Sequence, residues 1–334
     1  MTKYIYAFDE GQKSMKDLLG GKGANLSEMK RLGLPVPDGF TITTAGCIEY
    51  LRQGKSLSTD VKTQLIDHLA DFSERTGKAF SSDANLLLVS VRSGAKISMP
   101  GMMDTILNLG LNDDNVKIAF TNRNVDAKNS EDMKNFSAKY RFNHDNIVYN
   151  TQVHGADVRI VESEDNIAEN GKEADGLITN LRNTPLLIFT ADCVPVVFYD
   201  KKKSVAALAH AGWRGTYGNI AGEMVNIMTA KYNCKVEDIK TIIGPSVSVD
   251  NYEVSYDLIE KFAVLEVPNY YKEVDGKYYL DLWKLNKELL KKCGILEDNI
   301  KIIDFCTVRD NDKFFSYRLD NATPKRIGTI IQLD

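Results

Sequence analysis

Hydrophobic and polar positions divide this chain into two regimes. Up to about residue 115 the apolar residues recur mostly at helical spacing. "KYIYAFD" predicts a short strand, and Gly20, Gly21 and Gly23 predict a turn. A helix then carries Leu26, Met29 and Leu32 and stops at Gly33 and Pro35. "GFTITT" predicts a second strand, residues 57–77 a helix with Leu65, Leu69 and Phe72 on one face, and "LLLVSVRSGA" a buried strand. Beyond that point short apolar runs follow in quick succession: "VKIAFTNRN", "NIVYNTQVHG", "VRIVES", "GLITN", "PLLIFTADCVPVVFYD" and "SVAALAHAGW" all predict strands. A helix is expected at about 218–231, with Ile220, Met224, Ile227 and Met228 on one face. "IKTIIGPSV" predicts a strand, 255–264 and 281–293 helices, and "IKIIDFCT", "FFSYRLD" and "GTIIQL" closing strands. Strands outnumber helices, so the expected class is α/β with a mixed sheet or two stacked sheets and helices outside.

Composition narrows this little. The chain has 334 residues, 43% apolar and 26% charged, enough for two ordinary domains. A net charge of −4 argues against a nucleic-acid or membrane partner. The polar opening "MTKYIYAFDEGQKS" predicts no secretory leader, and "NTPLLIFTADCVPVVFY" is broken by Asp192 and Pro195, too short to span a bilayer. Five scattered cysteines without a CxxC pair suit reduced thiols and a cytoplasmic location. Nothing in the pattern sets the oligomeric state.

Three potential metal ligands stand on turns between apolar runs: His154 in "NTQVHG", Cys193 in "TADC" and His210 in "HAGWRG". Their separations are not finger spacings, so a shared site requires tertiary structure. Zinc accepts imidazole and thiolate and, with three protein ligands, keeps one position open. The same ligands suit copper. The bland alternatives are a hydrogen-bonded histidine at a strand end and a packed core cysteine.

The motifs "NTQVHG", "ADGLIT", "TADCVPV", "HAGWRGT", "IGPSV…YEV", "FCT" and "FFSYR" occur here in the order found in the laccase-domain family, which the segment 117–334 resembles. Members of that family are described both as polyphenol oxidases and as purine nucleoside phosphorylases. The resemblance implies a layered mixed-sheet fold, also seen in a class of cysteine-hydrolase toxins, and a metal site of His154, Cys193 and His210. It further implies phosphorolysis of adenosine, inosine, guanosine and methylthioadenosine, with deamination of adenosine. Phosphate is then a co-substrate, zinc the expected metal and copper the alternative. Phosphorolysis needs an anion cradle, for which Arg214 and Arg318 are candidates. Asp192 could orient a ligand or accept a proton, or cap a turn. Cys306 could be a reactive thiol or an inert packed one, and Trp213 a base-stacking group or core. This chain departs from the family at Val249, Asp250 and Asn251, where relatives often carry cysteines. It also has Lys325-Arg326 in place of a glycine-arginine pair, and lacks "SLNLGL" after the first strand of this segment.

Residues 1–115 resemble a different family. "KSMKDLLGGKGANLSEMKRLGLPVPDGFTITT" and "VSVRSGAKISMPGMMDTILNLGLND" are similar to the start of pyruvate phosphate dikinase, the first part of an ATP-grasp domain. Lys22 and Arg92 match its phosphate-contacting positions. The lobe that supplies metal-binding carboxylates does not follow, and half a site cannot align a γ-phosphate for transfer. Dikinase activity is therefore excluded and ATP binding is not expected. The chain reads as a fusion joined at "LNLGLNDDNVKIAF". Four histidines are too few for a multicopper oxidase cluster beside this site, which favours zinc. A non-catalytic ATP-binding fusion is the reading from another class.

Overall fold

The computed structural model describes residues 2–34, 36–54, 56–78, 89–92, 105–109, 116–163 and 169–334. The chain divides into two units, Met1–Leu111 and Asn112–Asp334.

In the first unit β1 (Ile5–Ala7) pairs antiparallel with β2 (Phe40–Ile42), and α1 (Lys16–Arg31), α2 (Thr44–Arg52) and α3 (Thr59–Thr76) pack around them. The expected glycine turn lies inside α1, as a kink at Gly20 with φ 71° and ψ 170° that only glycine adopts without strain. α2, unforeseen from the pattern, starts at Thr43, whose hydroxyl accepts the Gly46 N–H. Ser58 caps α3 and Gly77, at φ 64°, ends it. Among the described residues of this unit the buried apolar side chains are Ile5, Ala7, Leu19, Ala24, Val36, Val61 and Phe72. β3 (Val89–Arg92) and β4 (Thr105–Leu109) pair antiparallel with a bulge. The rest of the "LLLVSVRSGA" strand expectation lies outside the described residues.

The second unit runs β5 (Val116–Phe120), α4 (Ser130–Tyr140), β6 (Val148–Tyr149), β7 (Val158–Val161), β8 (Gly176–Thr179), β9 (Leu186–Thr190), β10 (Val194–Asp200) and β11 (Val205–Ala211). It continues with α5 (Trp213–Tyr217), α6 (Ile220–Tyr232), β12 (Lys240–Ile243), β13 (Glu253–Val254), α7 (Tyr256–Phe262), β14 (Tyr271–Val274), β15 (Lys277–Leu280), α8 (Leu282–Lys292), β16 (Ile300–Ile302) and β17 (Ile327–Leu333). Three sheets result: six strands ordered β16-β12-β10-β11-β8-β7, four ordered β5-β17-β9-β6, and a small β13-β15-β14 sheet. Both larger sheets are mixed, with β12/β16, β7/β8 and β6/β9 parallel and the other pairs antiparallel.

The layers explain the unbroken apolar strands. Every residue of β10, β11 and β17 is buried, because both faces of these strands are covered. Val205, Ala207, Ala209 and Ala211 join the core under α6 and α8. The alternate residues of β11 lie towards β9 and β17 of the second sheet. Outside that sheet Met133 and Phe136 of α4 pack on Leu187 and Ile330. This is the layered mixed-sheet α/β fold that the sequence led us to expect.

One strand expectation fails. "FFSYRLD" forms turns, because Asp320 accepts the Ser316 N–H and the Arg123 guanidinium while Ser316 Oγ accepts the Leu319 N–H. These local bonds compete with a strand ladder.

Candidate metal centre

Strand pairing sets two of the ligands. β10 and β11 are antiparallel with Val194 opposite Ala211 and Pro195 opposite His210, so Cys193, one residue before β10, lies at the same strand end as His210. Gly212 follows at once, and a Cβ there would stand 3.0 Å from Cys193 Sγ and 3.3 Å from His154 Cδ2. The bare glycine leaves the three side chains room to converge. Gly215 lets α5 close on this turn: its added Cβ would meet the carbonyl oxygens of Gly155 at 3.0 Å and His210 at 3.1 Å.

His154 arrives from the loop after β6, with a left-handed backbone at φ 62°. One ligand atom from each of His154, Cys193 and His210 falls within a cluster no wider than 4.8 Å, and the two imidazole rings meet edge-on at 4.9 Å. His210 is buried, Cys193 half-buried and His154 exposed, so the cluster opens to solvent on the His154 side.

The electrostatics suit a cation. Burial works against a Cys193 thiolate, but the hydrogen bonds and charges of His154 and His210 outweigh it and bring the thiol from an ordinary 9.0 to about 6. Burial likewise works against a charged His210, yet Asp175 and Cys193 raise it to about 9. Two imidazoles and a thiolate form the donor set of a zinc or copper site, and their ligand atoms lie within 4.8 Å of one another.

Asp175, which sequence reasoning passed over, is wholly buried just before β8. Its carboxylate accepts His210 Nδ1 at 2.7 Å and the N–H groups of Val153, His154 and Gly155 at 3.1, 3.0 and 2.7 Å. Burial tends to raise this carboxyl, and the His210, Gly155 and Val153 bonds lower it on balance. The available signal was an acid directly before an apolar strand in "ADGLIT", which reads equally well as a turn residue.

The other sequence candidates take distinct places. Asp192, at φ 86°, has both carboxylate oxygens engaged: Thr307 Oγ1 donates at 2.6 Å and the Arg318 N–H at 2.8 Å. These bonds tie Asp192 to the loop that carries Arg318. Arg318 is exposed, with its guanidinium 4.5 Å from the Tyr252 ring centroid and Nη1 donating to the Glu253 carbonyl at 2.7 Å. Arg214 is exposed on α5 and stacks on Trp213 at 4.3 Å. Cys306 has no exposed surface. Its sulfur accepts the Ser248 and Arg309 N–H groups and Asn251 Nδ2 at 3.3–3.4 Å. That burial favours the packed alternative for this thiol. Lys22 is an exposed residue of α1 in the first unit, and the Arg92 side chain lies outside the described residues.

Comparison with known proteins assigns the two units separately. Residues 16–57 match the AMP/ATP-binding domain of pyruvate phosphate dikinase. The dikinase of Clostridium symbiosum is 55% identical over 113 residues, and that of Rhizobium meliloti 51% over 120, covering 34% and 35% of this chain. The chain spans only 13% of the length of either dikinase. Among solved structures, the hypothetical protein YfiH of Bacillus licheniformis aligns with a TM-score of 0.64 and 27% identity, covering 69% of this chain and 96% of its own. YlmD of Geobacillus stearothermophilus gives 0.61 and 26%, covering 65% and 92%. Residues 110–334, which hold all three clustered ligands, match the family described as multi-copper polyphenol oxidoreductase laccase, and through that segment the chain belongs to this laccase-domain family.

Proposed function

We propose that the second unit is a zinc-dependent purine nucleoside phosphorylase acting on adenosine, inosine, guanosine and methylthioadenosine, with adenosine deaminase activity. The observation that carries this reading is the convergence of His154, Cys193 and His210 within 4.8 Å, open to solvent on one side. A zinc ion held there by His154, Cys193 and His210 would supply Lewis acidity. The chain's own residues do the rest. Arg214, held by Trp213, and Arg318, held by Tyr252 and the Glu253 carbonyl, offer two pre-oriented guanidinium groups to phosphate. Asp192 keeps the Arg318 backbone in place.

Copper polyphenol oxidation is the second reading, and the family's description favours it. Against it, the described residues contain one group able to hold a metal, whereas relay to oxygen takes several coppers. Elemental analysis of the purified protein separates the two, and inosine turnover in phosphate tests the first. Cys193→Ala and His210→Ala are expected to lose metal and turnover together, while Lys22→Ala keeps both. ATP calorimetry addresses the third reading, a non-catalytic nucleotide-binding fusion. A heat of ATP binding without nucleoside turnover would replace the enzyme reading.

A further inference from the structure

We propose that Asp175 is the positioning residue for both imidazole ligands: it sets which nitrogen His210 turns to the metal and clamps the turn that presents His154. The inference rests on the metal-centre reading and not on nucleoside chemistry.

A carboxylate only accepts hydrogen bonds, so the 2.7 Å contact between Asp175 Oδ1 and His210 Nδ1 places the proton on Nδ1. Nε2 is then the lone-pair nitrogen when the ring is neutral, and His210 also bonds to Cys193 on the cluster side. The His210 main chain is tied to the same residue, its N–H donating to the Asp175 carbonyl at 2.8 Å. Ring and backbone of this ligand therefore take their position from one neighbour.

The second task concerns His154. A non-glycine residue at φ 62° sits in the left-handed region, where its Cβ crowds the following carbonyl oxygen. Three consecutive N–H groups, from Val153, His154 and Gly155, converge on the Asp175 carboxylate and hold that conformation. His154 is exposed, so few packing contacts replace them. Cys193 takes its place from β10 and owes nothing to this carboxylate.

Asp175→Asn tests the proposal because it keeps the shape and changes the donor pattern. Oδ2 accepts Val153 and Gly155; Oδ1 accepts His154 and His210. An amide has one accepting oxygen, so either orientation sets NH₂ against donors. With the amide nitrogen towards His210, the imidazole must hold its proton on Nε2, the atom the metal needs. Zinc affinity, read by chelator competition, is expected to fall about 10–100-fold. Imidazole ¹H–¹⁵N spectra should show His210 leaving the Nδ1–H tautomer. A variant that melts lower but keeps wild-type zinc affinity and tautomer overturns the proposal and leaves Asp175 a purely structural group.

If Asp175→Asn does not fold, the zinc-loaded wild type decides. A protonated His210 Nδ1 supports the proposal, and zinc bound through Nδ1 overturns it. Wild-type protein that binds zinc but turns over no nucleoside removes the phosphorylase reading and leaves Asp175 in its role. Wild-type protein that binds no zinc removes both.

Discussion

Residues 16–52 and residues 194–211 are both rich in apolar side chains, and they end in opposite environments. In β10 and β11 not one residue is exposed. In and just after α1 and α2, Leu32, Ile48 and Leu51 are 62%, 65% and 63% exposed. The difference follows how much of a fold each segment brings. The second unit spans nearly the whole of a solved relative and buries every residue of its central strands β10, β11 and β17. The first matches only 13% of the length of a dikinase, and among its described residues these side chains stay exposed. Local periodicity makes a helix, but only a complete set of layers makes a core.

The contrast can be broken most forcefully in the core. Phe198→Ala, at a fully buried site in β10, is expected to destabilise the second unit by about 3–5 kcal/mol, seen as a lower denaturant midpoint. A smaller loss would mean that β10 is less tightly enclosed than its burial indicates. Gly212→Ala comes next. Its new Cβ at 3.0 Å from Cys193 Sγ should weaken zinc binding about tenfold, roughly 1.4 kcal/mol, with the fold intact. Unchanged affinity would show that the cluster has slack.

A gentler probe is pH, applied to chelator-stripped protein. The Cys193 thiol is lowered, so its contribution to stability is present above its ordinary value and is lost as pH falls through about 6. His210 is raised, so its contribution is present below its ordinary value and is lost as pH rises through about 9. Each shift depends on the other's charge, so this pair stabilises the metal-free fold most between those limits. Thiolate absorbance should disappear on the acid side and not near 9; a midpoint at the ordinary thiol value would break the pairing. The smallest effect belongs to the first unit: Leu51→Ser should change stability within about ±0.5 kcal/mol, because that side chain is 63% exposed. A loss above 2 kcal/mol would mean that α2 packs against something in solution.

What was legible in the sequence tracks what is local. "PVVFY" and "VAALAHA" announce buried strands because strands covered on both faces need no polar positions. His154, Cys193 and His210 stood out by residue type on turns. α4 did not, since its buried face shows only Met133, Phe136 and Ser137, too brief a periodicity to register. The "FFSYRLD" turns were hidden because bonds from Asp320 and Asp192 define them, and neither residue signals its partners in sequence. Asp175 was hidden for the same reason. Its four donors come from the loop after β6 and from His210 in β11, and such convergence is visible only once β8 lies beside β11.

The hairpin of β10 and β11 also acts as a gauge. Side chains alternate along a strand, so sliding β11 by one residue would carry His210 to the helix-covered side and part it from Cys193. A misregistered chain would be silent towards the ion rather than weakly competent. A metal held by this cluster would thereby inspect strand alignment, and a loaded protein would certify its own correct assembly.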